Sequence, residues 1–399
     1  MRTRRSDATG RRDLARPWRD KLASLGAHPE DAETDVVGGF AAGAACRVDG
    51  AVPGRTIAEI PVGLDPEGVA VDVARRRAFV ACSRSDLLAV IDLDSREVIG
   101  EIEVGAEPID IMFDPSADRV ITADAHADAV SIVNAETLAC ERSVAVGSYP
   151  SGLTADFEAR RLYVGNSLGS SMSIVDLDSF ETIAVVEAEA GAGAIGVDSS
   201  RQLAVCVNFI AGNATFVDAE SFEAVGLVEL GNGACAIGIV PERGEAFIAN
   251  SLAGTVSRVS LDDRSVLEEL RVGRAPVGLT VGPAHDRIYV TNRGEGTVSV
   301  VGVADGLEWG RIPVGEGPGG VVVDPHDLRL LVANAGTGTL SVIEDLLNGP
   351  RAERPAEERS PLIGKLLPEF GLVDFRTGEK RSSRDWAEKK YILNFFASW

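Results

Sequence analysis

The chain has 399 residues, with 39 basic against 61 acidic side chains and a formal charge of −22 at pH 7. That balance argues against nucleic acid or an anionic membrane as the main partner, and no window approaches the ~18 apolar residues of a membrane span. Hydrophobic content of 45% with only 5% aromatic, plus 43 glycines, suits many short strands joined by tight turns.

Residues 1–54 are polar and locally basic, with Arg4-Arg5 and Arg11-Arg12. The best secretion-signal core, residues 36–46, is weakly hydrophobic and follows Asp31, Glu33 and Asp35 instead of positive charge. A largely disordered segment is expected, with Leu14, Trp18, Leu22 and Leu25 on one face of a short docking helix that Pro17 weakens. The implied location is cytoplasmic, or exported if the true start differs.

From residue 55 to 345 one phrase recurs seven times at an interval of 42 residues, as from Gly63 to Gly105, without insertion or deletion. Its turn glycine falls at Gly63, Gly105, Gly147, Gly231, Gly273 and Gly315, with Glu189 in the remaining slot. A second slot reads Cys82, Asp124, Asn166, Asn208, Asn250, Asn292 and Asn334. A third is aspartate at Asp72, Asp114, Asp156, Asp198 and Asp324, with Val240 and Gly282 in the other two. A repeat of this length with four strands per copy means a β-propeller.

In the first copy, alternation and punctuation give an inner strand at 68–72, then strands at 77–81, 87–92 and 97–104. A Gly-x-x-Pro turn leads into the next inner strand. Residues 56–62 form an outer strand with nothing before it, and the seventh copy stops after three strands near residue 344. Pairing these pieces predicts an all-β, seven-bladed β-propeller with N-to-C strand closure and no open edge.

The phrase Tyr289-Val-Thr-Asn292, seen in seven in-register copies, resembles the YVTN family of seven-bladed propellers. The resemblance implies a fold and a binding-scaffold tendency, and no reaction.

The asparagine slot reads as structural, its side chain bonding backbone across the turn between the second and third strands. Departures from the repeat carry more information. Around the channel mouth these are Arg84, Asp124, His126, Tyr149, Phe209, Arg274 and Arg293. Such a mixture of charged and aromatic groups suits a small polar ligand or a protein or peptide partner docked on that face; ordinary loop drift is the competing reading. A monomer is expected.

Motifs that mimic chemistry dissolve in the register. Gly191-Ala-Gly193-Ala-Ile-Gly196 matches a dinucleotide fingerprint, but strand pattern follows it where a helix is required. Asp92-Leu-Asp94-Ser95 and Asp176-Leu-Asp178-Ser179 lack the closing glutamate of a calcium loop. His28, His126, His285 and His326 do not cluster, and no nucleophile-and-base arrangement is visible. No catalytic residue, metal or cofactor is expected in the propeller. Cys140 and Cys206 read as small buried hydrophobes, while Cys82 and Cys235 lie too far round the ring to pair, which fits a reducing compartment.

A charged linker, residues 346–360, precedes a change of grammar at 361–399. Gly364-Lys-Leu-Leu-Pro-Glu-Phe370-Gly-Leu372, the turn Asp374 to Gly378, a short helical stretch through Ser383 and Trp386, and Asn394-Phe-Phe-Ala-Ser-Trp399 resemble the opening of a thioredoxin-like redoxin of the TlpA and peroxiredoxin-related group. The resemblance implies an incomplete α/β thioredoxin-like segment, residues 391–396 as a central strand, and an active-site thiol directly after Trp399. The expectation is selenocysteine encoded by UGA at position 400, against an arbitrary frameshift or fragment end. A longer version would be a thiol- or selenol-disulfide oxidoreductase with a docking propeller and a redox partner protein. The alternatives are a purely non-catalytic binding protein and a propeller enzyme with its site at the channel mouth.

Overall fold

The computed structural model describes residues 53–346 and two short strands, Gly371–Val373 and Lys380–Ser382. Expectations for residues 1–52, for the linker beyond residue 346, for the helix near Trp386 and for the strand at 391–396 lie outside the described residues.

Alternating apolar residues between turn signals produce four antiparallel strands per repeat, hydrogen-bonded in chain order. In the first blade these are Pro66–Asp72, Arg77–Cys82, Leu87–Asp92 and Glu97–Glu103. Blades 2 to 6 repeat this from Pro108, Pro150, Ala192, Ala234 and Pro276. Blade 7 takes its inner three strands, Pro318–Val323, Leu330–Asn334 and Thr339–Asp345, from the end of the repeats. Its outer strand is Gly54–Pro61, which runs antiparallel to Thr339–Asp345 from Gly54↔Asp345 to Pro61↔Thr339. The ring is a seven-bladed all-β propeller closed by that clasp.

Second strands are buried along nearly their whole length because both of their faces pack between blades; only Arg119 and Arg161, at strand starts, are half-buried. Phe79, Tyr163, Phe247 and Tyr289 fill one register position of these strands, each fully buried. Blade 4 has Val205 there and moves its ring to the facing third-strand residue, Phe216, so the bulk stays between the same blades. Burying one such side chain contributes about 2 kcal/mol.

The aspartate slot caps the turn after the inner strand: Asp114 accepts from the Ser116 amide at 2.9 Å and Asp198 from the Arg201 amide at 3.2 Å. The third-to-outer hairpins of blades 1 to 4 are likewise Asx turns, with Asp176 accepting from the Ser179 amide at 2.7 Å. Of the fingerprint glycines, Gly191 precedes inner strand Ala192–Asp198 and Gly193 and Gly196 lie in it, and the strand runs into a single 3-10 turn, Ser199–Arg201.

Three expectations change. The asparagine side chains bond mainly to hydroxyls of the third strand, not to backbone across the turn: Asn292 Nδ2 donates to Thr297 at 3.0 Å and to Ser299 at 2.8 Å. Cys140 is exposed, because its outer-strand slot lies on the rim, where Val98 and Val266 are 38% and 37% exposed as well. Beyond the ring, Gly371–Val373 and Lys380–Ser382 pair as a two-stranded hairpin, which by itself does not make a thioredoxin-like α/β segment.

Candidate ligand site at the channel mouth

One face of the ring is wired identically in all seven blades. The residue before each inner strand has a left-handed backbone, with φ of 57° at Asp65, 58° at Glu107, 57° at Tyr149 and 50° at Ala275, and glycine in the other three. Its carbonyl accepts from the first amide of the loop between the second and third strands, as in Ser83 to Asp65 at 3.1 Å and Arg293 to Ala275 at 2.9 Å. This bond brings the two sets of loops together at the mouth. Glu107 and Tyr149 hold a conformation that side chains of their size seldom adopt.

A recurrent bulge then shapes the channel wall. Pro66 pairs with Cys82 and Gly68 with Ala81, so Glu67 is left out of the ladder and turned toward the channel. The equivalent slot holds Ile109, Ser151, Gly193, Cys235, Val277 and Gly319. All seven inner strands surround a cavity of about 360 Å³. Its wall is aliphatic, with polar side chains at Glu67, Asp110, Ser151, Cys235 and Arg293.

Arg293, from blade 6, donates to both carboxylate oxygens of Glu67 in blade 1, at 2.9 and 2.7 Å. The pair passes over blade 7, where Gly319 and Gly320 present no side chains. A β-carbon on Gly319 would stand 2.8 Å from the Glu67 carboxylate, and one on Gly320 2.6 Å from the Glu67 carbonyl. Burial opposes the charge of Arg293, and the hydrogen bond and charge of Glu67 outweigh it, leaving the guanidinium above its ordinary range.

Where blades 2 and 3 meet the mouth, His126 Nδ1 contacts Glu107 Oε2, and the Tyr149 hydroxyl donates to Glu107 Oε1 at 3.2 Å. The two rings meet edge to face, centroids 5.5 Å apart. Burial raises the Glu107 carboxyl, against the pull of His126 and Tyr149. Nearer the channel, Asp110 accepts from the Leu153 amide of the next blade at 2.8 Å and from the Ile111 amide at 2.9 Å. Protein surrounds it on every side except the channel, and burial pushes its carboxyl up to about 6. Cys235 packs against the Pro276 carbonyl at 3.3 Å, its thiol pushed up to about 12 by burial.

Of the seven residues singled out by sequence, the structure joins His126 to Tyr149 and places Arg293 over the cavity. Arg274 is exposed and approaches Glu295 at 3.5 Å; Arg84 is exposed in its loop and Phe209 half-buried in its own. Asp124 lies inside blade 2, fully buried, accepting from Thr122 and from Ser131, the third-strand hydroxyl position to which the asparagines of other blades donate. Sequence reasoning missed Glu67, Asp110, Ser151 and Cys235. A signal was present for Asp110, a charge in a slot that is glycine or alanine in the other six blades.

Among the described residues no group of three or more His, Cys, Asp or Glu side chains is placed to hold a metal ion. No helix among them is long and apolar enough to cross a membrane.

No protein-family model matches the chain, and no curated protein matches it. A solved structure of Kuenenia stuttgartiensis hydrazine synthase is similar at a TM-score of 0.63 and 17% identity, over 76% of this chain and 98% of that one. At that identity the likeness shows the fold alone. Since 1576 solved chains match, the architecture by itself assigns no activity.

Proposed function

We propose that the propeller is a binding module that takes a small ligand, or the tip of a protein or peptide partner, into the mouth of its channel. The observation that carries this reading is the cavity itself. It is concave, mostly aliphatic, walled by all seven blades and supplied with a few convergent polar groups, the combination expected of a small-molecule site. No nucleophile-and-base pair lies in it, so binding is favoured over a channel-mouth reaction.

The test is a fragment screen by NMR on the 399-residue chain, repeated with Val277→Trp, which places an indole in the bulge slot. Binding that perturbs mouth residues and disappears in the variant is expected. Binding confined to the opposite face, near Asp94 and Ser179, or unaffected by the indole, would overturn the reading.

The finer reading, a YVTN-type propeller that docks a partner for a redoxin-like segment, is supported by the sequence phrases at Tyr289–Asn292 and 361–399. Its measurement is disulfide reduction by a chain extended past residue 400 with cysteine there, set against serine. Equal activity of the two would remove it.

A further inference from the structure

The mouth cavity, if it is a ligand site as argued above, also selects the charge of what enters. Glu67 and Arg293 neutralise one another, which leaves Asp110 as the uncompensated charge in the wall. Each of its oxygens takes one backbone amide, and a carboxylate has room for further donors on both. The rim adds to the negative field. Burial raises the Glu107 carboxyl, His126 and Tyr149 pull it down, and the negative charges of Asp65 and Asp86 raise it further; the whole chain carries −22. The one cationic side chain among the cavity-lining residues, Arg293, is held at both ends of its fork by Glu67, so an anionic ligand has to break that pair before it gains a partner.

The rest of the wall fixes the body of the ligand. Ile109, Ile111, Leu153, Ile195, Ile237 and Leu279 are aliphatic, and no aromatic ring lines the cavity. A quaternary ammonium held in a cage of ring faces is therefore a poor fit, whereas an N–H donor matches a carboxylate with unused acceptor capacity. The volume of about 360 Å³ lies near the small end of the range for organic ligands.

We propose that the cavity takes a small protonated aliphatic amine, its ammonium on the Asp110 carboxylate and its hydrocarbon body against Ile111, Leu153 and Ile195. Charge complementarity selects the cation, and burial of the aliphatic body supplies the remaining affinity.

Isothermal titration of the 399-residue chain with cyclohexylamine, cyclohexanol and cyclohexanecarboxylate tests this. The amine is expected to bind about tenfold or more tightly than the other two, and Asp110→Asn to bring it down to the level of the alcohol. The wild-type affinity for the amine should fall between neutral pH and roughly pH 5, as Asp110 takes up its own proton; this profile decides the matter if the variant does not fold. Tightest binding of the carboxylate, an amine affinity unchanged by Asp110→Asn, or a flat pH profile overturns the cation assignment and leaves the site standing. If none of the three probes binds, the site reading falls along with it.

Discussion

In every blade the asparagine slot closes the second strand and the bulge slot opens the inner strand, and both recur at the same interval. The first holds asparagine in five blades of seven, with Asp124 and Cys82 as its variants; the second holds six different residue types in seven blades. The contrast follows from what each side chain meets. Asn250 donates to Thr255 at 3.1 Å and Ser257 at 2.7 Å. Its carboxamide also lies where a β-carbon on the turn glycine, Gly231, would stand, 2.8 Å away. Its partners are themselves parts of the phrase, so the glycine, the asparagine and the hydroxyls constrain one another. Glu67, Ser151 and Val277 face the channel, where nothing in the repeat constrains them. Blade interiors preserve the phrase, and the channel mouth spends it on differences.

The largest test of the conserved side is the clasp. Removing residues 1–62 deletes strand Gly54–Pro61, with buried Ile60 and the Glu59 carboxylate that accepts from Thr339 at 2.7 Å. The melting temperature should fall by about 10 °C or more, while a truncation ending at residue 50 should leave it within about 1 °C. Equal melting of the two would mean that the blades do not share one closed interior.

Next in size is the coupling between the two conserved slots. Gly231→Ala should cost about 2 kcal/mol through overpacking against Asn250. Asn250→Ala on top of it should recover part of that loss, giving a non-additive cycle in urea unfolding. Val277→Ala, in the variable slot, should cost less than about 1 kcal/mol. Additive losses in the first pair, or a larger loss at Val277, would erase the distinction.

Asp110 tests the other side, because its carboxyl faces the channel without the third-strand hydroxyl that Asp124 holds inside blade 2. Its carboxyl stands near 6 when folded, raised by burial above an ordinary value of 3.8. The native state therefore holds a proton that the unfolded chain has released, and stability declines as pH rises from about 4 to about 6. Relative to wild type, Asp110→Asn should gain about 2 kcal/mol across that window and then level off. A constant difference at all pH values would show that the carboxylate carries no such penalty.

The smallest effect concerns reactivity, not stability. Burial pushes the thiols of Cys82, Cys206 and Cys235 up to about 11, 12 and 12, so they should alkylate slowly at neutral pH. In a Cys46→Ser background the fast-reacting thiol should be Cys140, exposed on the rim. Rapid modification of Cys235 would mean that the channel opens wider than its walls indicate.

Much of the architecture was legible because strand alternation and turn glycines are local signals. The inner strand expected at 68–72 begins two residues earlier, at Pro66, and the closing strand spans Gly54–Pro61 where 56–62 was expected. Those two residues hid part of the channel wall. Simple alternation carries no sign of a bulge, so the position after Pro66 was not read as facing the channel, and neither Glu67 nor Cys235 was placed on its wall. Cys140 was misjudged for a related reason: register equates it with Val98 and Val266, but register does not say that this apolar slot sits on the rim. Arg293 was found, because it departs from the phrase, while its partner across two blade boundaries was not, since pairing through space leaves no periodic trace.

The clasp also sets an order of events during synthesis. Strand Gly54–Pro61 leaves the ribosome before any blade exists, and its ladder partner lies far down the chain, with 289 positions between Arg55 and Glu344. At ordinary elongation rates this is a wait of roughly 15–60 s, during which six blades assemble beside a strand that has no place in any of them. Arg55 and Glu59 carry charge along that strand and Pro61 ends it, features that discourage pairing with the wrong edge. The nascent ring thus carries its last component from the beginning, kept single by its own sequence until the final blade arrives.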